Sequence, residues 1–288
     1  MVNQNILICG ASSFVSSGIV ERLKREGCNV DCFSRGVLSR QENVIRGDYK
    51  EISNNNFLDK EYDVVINYAI IKDGTIEDNL QYIKSLVQLC TDKRVKKLIH
   101  FSSVMVYSHH VGYINEETPM ETVEETWMEG YGKIKIAVDE YLLSVKDLLP
   151  FEIVLVRPGY VLAGSRPCPF IKPLPMQFAL IKGDRGSKQP IVKREEIHEA
   201  IFKIIQTANN FPVYLLFPND GMTKYSFAKQ QGYKHLIGMP RLMFKHLPFL
   251  MMKIGLMSKA MYSRFEGMYN ENIFDSAKTQ HKLQINFT

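Results

Sequence analysis

The sequence reads Phe-Ser-Ser-Val-Met-Val-Tyr over residues 101–107 and Tyr-Gly-Lys-Ile-Lys over residues 131–135. The first stretch closes an apolar run that predicts a strand, and the second opens an amphipathic pattern that predicts a helix. Residues four apart share one face of a helix, so we expect Tyr131 and Lys135 to be neighbours. An ammonium beside a phenol favours proton exchange with a substrate oxygen, which a serine at the strand end can also bind.

The tyrosine–lysine spacing is weak by itself, because pairs at residues 68 and 72 and at residues 225 and 229 share it. Their simplest interpretation is a helix surface pair or no contact. The order of the chain distinguishes Tyr131, which follows a small-residue turn and precedes a strand ending in Arg157-Pro158-Gly159. Strands alternate with helices around it, which predicts a parallel, doubly wound sheet with its ligand at the carboxyl ends of the strands.

The first turn resembles a phosphate-binding turn with two substitutions. Residues 5–9 predict a strand and residues 19–25 a helix, and a dinucleotide turn between them expects three spaced glycines. The chain has Gly10, Ser13 and Ser16 at those positions. Serine is small and can bond a phosphate, but it tolerates a positive φ poorly. We favour a cofactor turn over a plain βα turn.

The ends of the next three strands predict how the rest of a dinucleotide binds. Ser34 and Arg35 stand where NAD enzymes place an acid, and a guanidinium can pair with a 2′-phosphate, which favours NADP over NAD. A solvated Arg35 is the alternative. The predicted contacts further along are Asp48 and Tyr49 for the adenine and Tyr68 and Ala69 for the dinucleotide backbone. Asp48 can instead begin the next turn.

Composition restricts the class of protein. The 288 residues carry a net charge of +5 without a dense basic block, so we do not expect nucleic-acid binding. Five cysteines, an odd number without metal-ligand spacing, indicate a reducing cytoplasm and no metal site. The adjacent His109 and His110 are interpreted as loop residues. Neither a secretory signal nor a membrane-spanning segment is predicted.

Five short pieces occur together in an order that resembles the extended short-chain dehydrogenase/reductase superfamily, in its NAD-dependent epimerase/dehydratase branch of nucleotide-sugar enzymes. These pieces are Gly10-x-x-Ser13-Phe14-Val15-Ser16, Phe101-Ser102-Ser103-x-x-Val106-Tyr107, Glu117-Thr118-Pro119, Tyr131-Gly132-Lys133-x-Lys135-x-x-x-Asp139 and Val156-Arg157-Pro158-Gly159. The resemblance implies a Rossmann-like α/β fold with a smaller C-terminal substrate-binding lobe. We expect a cofactor domain over 1–160 and the lobe over 161–288, with 191–220 returning to the first domain.

The resemblance also assigns roles. It makes Tyr131 the catalytic acid/base, Lys135 its partner and the ligand of the nicotinamide ribose, and Ser103 the third catalytic residue. Asp139 falls at a structural position of that helix. The cofactor would further contact Gly10, Ser12, Ser13, Phe14 and Val15 in the first turn, and Pro158 and Gly159 near the nicotinamide.

Comparison with other enzymes of this family narrows the range of reactions that we expect. The 4,6-dehydratases carry Thr-Asp-Glu where this chain has Ser103-Val104-Met105, so the resemblance disfavours a dehydratase. The remaining candidates are a nucleotide-sugar 4-ketoreductase, which is slightly favoured, and an epimerase. Either would act in surface polysaccharide synthesis. The alternative is a catalytically weak NADP-binding sensor or regulatory protein of the same fold. A homodimer is left open.

Two stretches of the second lobe have unusual composition. Prolines and Lys/Arg cluster over 167–188, where a diphosphate grip and a solvated loop are equally supported. Residues 239–265 contain six methionines, many aromatic residues and Lys/Arg without an acid. We favour lobe helices with a buried face for this segment. The alternative is a surface that contacts a membrane or a partner enzyme.

Overall fold

Seven short apolar stretches form one parallel sheet in the computed structural model of the protein. In chain order they are β1 (Asn5–Cys9), β2 (Asn29–Ser34), β3 (Val44–Arg46), β4 (Val64–Asn67), β5 (Lys97–Phe101), β7 (Glu152–Pro158) and β13 (Val213–Leu216). Their spatial order is β13-β7-β5-β4-β1-β2-β3. The strand order reverses between β1 and β4, which is where ligands bind in open α/β sheets.

The structure describes residues 4–35, 44–54, 60–107, 112–126, 130–163, 168, 170–219, 221–258, 261–262, 265, 269 and 271–288. The pair His109 and His110 therefore lies outside the described residues.

Both faces of the sheet are covered, which explains why its strands are apolar without alternation. Ile6 and Ile8 of β1 pack in one core, with helices α1 (Ile19–Arg25) and α4 (Arg194–Gln206). Leu7 and Cys9 pack in the other, with α2 (Ile76–Asp92) and α3 (Tyr131–Val145). The predicted α/β, doubly wound fold is confirmed.

Hydrogen bonds at its first turn fix the start of α2. The Thr75 hydroxyl accepts from the Asp78 N–H at 3.1 Å, and the Asp78 carboxylate accepts from the Thr75 N–H at 2.9 Å. This capping box satisfies two backbone donors that would otherwise lack a partner.

The remaining strands belong to small sheets beside the carboxyl ends of the large one. They are β6 (Gly112–Ile114), β8 (Tyr160–Leu162), β9 (Ile171–Pro173), β10 (Phe178–Ile181), β11 (Lys188–Gln189), β12 (Ile191–Lys193), β14 (Met222–Thr223), β15 (His235–Gly238) and β16 (Asn272–Phe274). The pairings are β9-β10-β15, β11-β14, β8-β12 and β6-β16. A separate apolar cluster, which includes Phe170, Ile181 and Phe227, packs beneath the three-stranded sheet.

Short helices complete the chain. The α-helices are α5 (Lys224–Gln230), α6 (Leu247–Lys253) and α7 (Ala277–Leu283). Single turns of 3-10 helix cover Tyr49–Asn54, Val104–Tyr107 and Lys146–Leu148, and a π-helix covers Leu242–His246. Within the described chain, none of these helices has the length and apolar character needed to cross a bilayer.

The methionine-rich segment does not take the form that we favoured. The π-helix runs directly into α6, and in residues 241–256 only Pro248 is buried. The expected buried face is therefore wrong for the described part of this segment. Its apolar side chains point largely to the solvent.

Candidate active site

A cleft of about 930 Å³ lies over the carboxyl ends of the strands. Its walls include Ser13, Phe14 and Val15 from the first turn, Ser103 after β5, and Tyr131 and Lys135 of α3. Pro158 and Gly159 close another side. Residues that are far apart in sequence are thus brought to one groove, as predicted from the alternating pattern.

The first turn explains how serine can replace glycine at two positions. Gly10 takes the left-handed conformation with φ +81°, and a Cβ there would lie 2.7 Å from the backbone nitrogen of Ala69. Gly18 before α1 has φ +93°. Neither Ser13 nor Ser16 has a positive φ. The positive φ angles of this turn therefore occur at Gly10 and Gly18, which are glycines in this chain.

The two serines also hold the turn together. The buried Ser16 hydroxyl donates to the Gly10 carbonyl at 2.9 Å, and the Ser13 and Ser16 hydroxyls lie 2.9 Å apart. Among the described residues, the backbone N–H groups of Ser12 and Val15 donate to no protein acceptor. A close-packed turn with N–H groups available fits the diphosphate of a dinucleotide.

Helix α4 supports this turn from the other side. The buried His198 donates from Nε2 to the Val15 carbonyl at 3.0 Å, and burial lowers the pKa of His198. The Arg194 guanidinium lies 6.0 Å from the centre of the Phe14 ring. Sequence analysis did not find these contacts, because nothing in the local pattern links residues 180 positions apart.

Tyr131 and Lys135 occupy the first turn of α3. Tyr131 is 43% exposed at the cleft, whereas Lys135 is only 4% exposed. The Lys135 ammonium donates to the carbonyl of Phe101 at the end of β5, and it lies 5.7 Å from the centre of the Tyr131 ring. Burial lowers the pKa of Lys135 to about 8, and the nearby Asp139 carboxylate opposes this shift.

The two serines after β5 differ in what they bond. The buried Ser102 hydroxyl donates to the Asp139 carboxylate at 2.6 Å. The Ser103 hydroxyl accepts from the Met105 N–H at 3.2 Å, which leaves its own proton able to be donated. Ser103 is therefore the better placed of the two to bind a substrate oxygen.

A buried polar network lies directly beneath the groove. The Arg157 guanidinium donates to the Asp139 carboxylate at 2.9 and 3.0 Å and also to the Tyr107 hydroxyl. Asp139 is fully buried, and its second oxygen has no hydrogen-bond partner in the described chain. With Ser102, these residues tie the ends of β5 and β7 to α3. We call them the Asp139 network.

A second buried group lies next to Lys135. The Asn67 carbonyl accepts from the Ala69 N–H and the Tyr82 hydroxyl, so its amide nitrogen donates to His100 Nδ1 at 2.9 Å. The His100 proton is therefore on Nε2, which has no partner within the described residues. Burial and the Lys135 ammonium lower the pKa of His100 well below its usual value. Sequence analysis did not single out His100.

Packing fixes the wall at Pro158 and Gly159. A Cβ at Gly159 would lie 1.8 Å from the carbonyl oxygen of Pro190, so only glycine fits where β8 meets β12. The glycine after the proline thus has a structural reason besides any contact with a cofactor.

The residues predicted for the adenosine end lie farther away. Ser34 and Arg35 end β2, and the Arg35 guanidinium is 5.2 Å from the centre of the Tyr49 ring. The Asp48 carboxylate accepts from the Lys50 N–H at 2.9 Å, which favours its role in starting the turn. Burial raises the pKa of Tyr49 to about 12. The described wall residues of the cleft do not include Ser34, Arg35, Asp48 or Tyr49.

Residues at the end of β4 lie between these two parts of the sheet edge. The Tyr68 ring lines the cleft and stacks on Phe101 with 4.0 Å between ring centres, and burial raises its pKa. Ala69 packs against Gly10 instead of lining the cleft described above. Ser12 is exposed beside the groove and is likewise not one of those wall residues.

Several wall residues were not found from the sequence. Lys72 and Gln189 line the cleft, and Asn272 and Phe274 reach it because β16 pairs with β6. Lys188, which belongs to the basic cluster over 167–188 considered as a diphosphate grip, also lines the cleft. No sequence signal marks a residue that a distant strand pairing delivers. Among the described residues, no group of three or more His, Cys, Asp or Glu side chains is arranged for a metal ion.

Solved structures with this architecture include several nucleotide-sugar enzymes. MoeE5 in complex with UDP-glucuronic acid and NAD is 18% identical, with a TM-score of 0.69 over 99% of this chain and 94% of that one. UDP-N-acetylglucosamine 4-epimerase from Bacillus cereus is 15% identical, with a TM-score of 0.68 over 99% and 94%. dTDP-glucose 4,6-dehydratase from Bacillus anthracis in complex with NAD is 15% identical, with a TM-score of 0.70 over 99% and 92%.

At these identities the structural likeness establishes the fold alone, and no curated protein sequence matches the chain. The profile described as the NAD dependent epimerase/dehydratase family, in contrast, matches residues 6–179. That match spans more than half of the 288 residues and includes the first turn, both serines after β5, and Tyr131 with Lys135. The chain therefore belongs to the NAD dependent epimerase/dehydratase family.

Proposed function

We propose that this protein is an NAD(P)-dependent oxidoreductase that acts on a ring carbon of a nucleotide sugar, as a 4-ketoreductase or an epimerase. The observation that supports it is the single groove shared by the first turn, Ser103, Tyr131 and Lys135. The volume of about 930 Å³ suits a large ligand, and MoeE5, one of the solved structures described above, is in complex with UDP-glucuronic acid.

The proposed chemistry divides between the cofactor and the protein. A bound nicotinamide supplies the site for hydride transfer. Tyr131, exposed at the groove, exchanges a proton with the sugar hydroxyl or carbonyl oxygen, and the Ser103 hydroxyl donates to the same oxygen. Lys135 supplies a positive charge beneath the Tyr131 ring, because its pKa of about 8 keeps it mostly protonated at neutral pH.

The first turn and β2 are the proposed cofactor grip. The N–H groups of Ser12 and Val15 would bind the diphosphate, and Arg35 would favour NADP through a 2′-phosphate. Solved structures of this fold are described with NAD. For this chain, in contrast, Arg35 leads us to expect that NADPH binds more tightly than NADH. We place the enzyme in the cytoplasm, in surface polysaccharide synthesis, with the cofactor domain over 1–160 and the substrate lobe over 161–288.

The test compares two tyrosines in equivalent local settings. Tyr131 is 43% exposed and Tyr225 is 42% exposed, and each precedes a lysine by four residues. Only Tyr131 is among the described wall residues of the cleft. Tyr131→Phe should lower kcat by about 10²–10⁴-fold with UDP-glucose or another sugar nucleotide, and Tyr225→Phe should leave kcat unchanged. Cofactor affinity, measured by fluorescence titration, should stay within about twofold in both.

Each result has a distinct meaning. Equal turnover in the Tyr131→Phe variant and the unmodified chain would refute the role of Tyr131. Binding of NADPH or NADH without turnover of any sugar nucleotide would favour the sensor. Failure of both cofactors to bind below millimolar concentration would contradict the proposal as a whole.

A further inference from the structure

The π-helix Leu242–His246 and α6 form a continuous apolar helical segment on the surface of the second lobe. We call residues 241–256 the exposed segment. Its most exposed apolar side chains are Leu242 at 76%, Leu256 at 70% and Ile254 at 62%. Met243, Leu247, Phe249 and Leu250 are also exposed. Exposed apolar patches of this kind mark surfaces that another molecule covers.

Among the described residues, polar contacts hold the exposed segment at its base. Arg241 donates to Glu271 at 2.6 Å and to Asp184, which fixes the start of the π-helix to the lobe. The Tyr269 hydroxyl donates to the Met239 carbonyl at 2.9 Å. One aromatic contact, with 5.6 Å between the ring centres of Phe249 and Tyr262, supports α6. The remaining apolar side chains project from this anchored base.

The stretch of sequence that contains the exposed segment carries charge of one sign. From Gly221 to Phe265 the sequence contains no Asp or Glu. It contains eight Lys or Arg residues, at positions 224, 229, 234, 241, 245, 253, 259 and 264. Lys245 and Lys253 lie within the exposed segment, and the Lys253 ammonium is 5.5 Å from the centre of the Phe249 ring. Cations thus lie directly beside the exposed apolar groups.

This charge pattern discriminates between occupants of the surface. In a two-fold symmetric dimer a patch meets its own copy, so Lys245 and Lys253 of both copies would approach each other, and the nearby acids Asp184 and Glu271 are already paired with Arg241. An anionic bilayer surface offers the opposite charge to the lysines and a hydrocarbon layer to the leucines and Phe249. The helical part of the segment, Leu242–Lys253, is shorter than the roughly 20 residues of a membrane-spanning helix, which indicates contact within the interface.

We propose that the exposed segment binds the surface of anionic lipid bilayers, with Leu242, Leu247, Leu250 and Ile254 inserted and Lys245 and Lys253 at the headgroups. The protein would thereby hold its second lobe at a membrane. This inference is independent of the reaction proposed above, since none of these residues is among the described wall residues of the cleft.

The test is co-sedimentation of the full chain with vesicles of phosphatidylcholine alone or mixed with phosphatidylglycerol. We expect binding to the mixed vesicles that weakens as salt is added, because screening reduces the lysine contribution. The variant with Leu247→Ser and Leu250→Ser should bind at least about tenfold more weakly. Lys245→Gln with Lys253→Gln should reduce binding to the anionic vesicles specifically.

The matched control is Leu148→Ser, which removes a leucine that is 81% exposed in the 3-10 turn Lys146–Leu148 after α3. It should leave vesicle binding unchanged, and circular dichroism of every variant checks that the chain is folded. The proposal is overturned if the unmodified chain binds neither vesicle, or if the serine pair binds as tightly as the control. It is equally overturned if the serine pair instead converts a dimer to a monomer in sedimentation velocity, since the surface would then be a subunit interface.

Discussion

The Asp139 network and the exposed segment both depart from the usual placement of polar and apolar side chains, but in opposite directions. Beneath the groove, the charged Asp139 and Arg157 are almost fully buried. Between residues 242 and 256, the leucines and Met243 are exposed. The first region places polar groups where apolar ones are normal, and the second does the reverse.

The difference between the two regions shows how each is stabilised. A buried carboxylate is tolerated because Arg157 and the Ser102 hydroxyl bond it, so its neighbours within the chain satisfy it. Nothing described in the chain covers most of the exposed segment, so its side chains contribute little to folding. We therefore expect substitutions in the first region to act on stability and those in the second to act on association.

The largest expected effect comes from Arg157→Met. It leaves the fully buried Asp139 carboxylate without its cation, which should lower the free energy of unfolding by about 3–5 kcal/mol in urea titrations. The matched control combines it with Asp139→Leu, so that neither charge of this pair remains and much of the loss is recovered. A single variant that costs less than about 1 kcal/mol, or a strictly additive pair, would contradict the coupling of these two groups.

The next effect concerns Lys135 and pH. Its pKa is lowered from 10.5 to about 8 by burial, so between those values the unfolded chain binds more protons than the folded chain. The free energy of unfolding should therefore gain a rising contribution between pH 8 and 10.5, while the full cost of burying the charge is present below pH 8. Lys135→Met should remove that contribution and stabilise the fold at pH 7 by about 3 kcal/mol.

Urea titrations at several pH values measure this difference between variant and parent. Lys133→Met, on the same helix but at a partly exposed position, serves as the control and should keep the parent's pH dependence. If the free energy of unfolding changed with pH in the same way in Lys135→Met and in the parent, Lys135 would not be the source of this pH dependence.

The smallest expected effect is Leu250→Ser in the exposed segment. Leu250 is 56% exposed, so the free energy of unfolding in the absence of lipid should change by less than about 0.5 kcal/mol. Leu215→Ser, at a fully buried position of β13, is the comparison and should cost several times more. Similar losses for the two leucines would mean that the exposed segment packs within the protein in solution.

The architecture was largely predictable because sheet and helix periods are local properties. Residues 19–25 were expected to be helical and form α1 with those bounds. Strands buried on both faces are visible in the sequence as continuous apolar runs, as in β1 and β13. The favoured buried face of 239–265 failed because composition cannot distinguish an apolar residue inside a core from one at a surface.

The candidate site was predictable only in its chain-ordered motifs. The positions of Ser103, Tyr131 and Lys135 follow from strand ends and helical spacing, although their catalytic roles stay predictions. The serine replacements in the first turn seemed unfavourable in sequence because a positive φ was expected there. The structure shows that Gly10 and Gly18 carry it instead.

The sequence by itself determined the alternation of strands and helices, the small-residue first turn, and the lysine four residues after Tyr131, because each depends on neighbours within a few residues. Only the tertiary structure decided that Asp139 would meet Arg157, that His198 would bond the first turn, and that β16 would reach the groove. It also decided that the leucines of α6 would be exposed. These outcomes depend on which surfaces pack together across long separations, and packing is fixed only when the whole chain has folded.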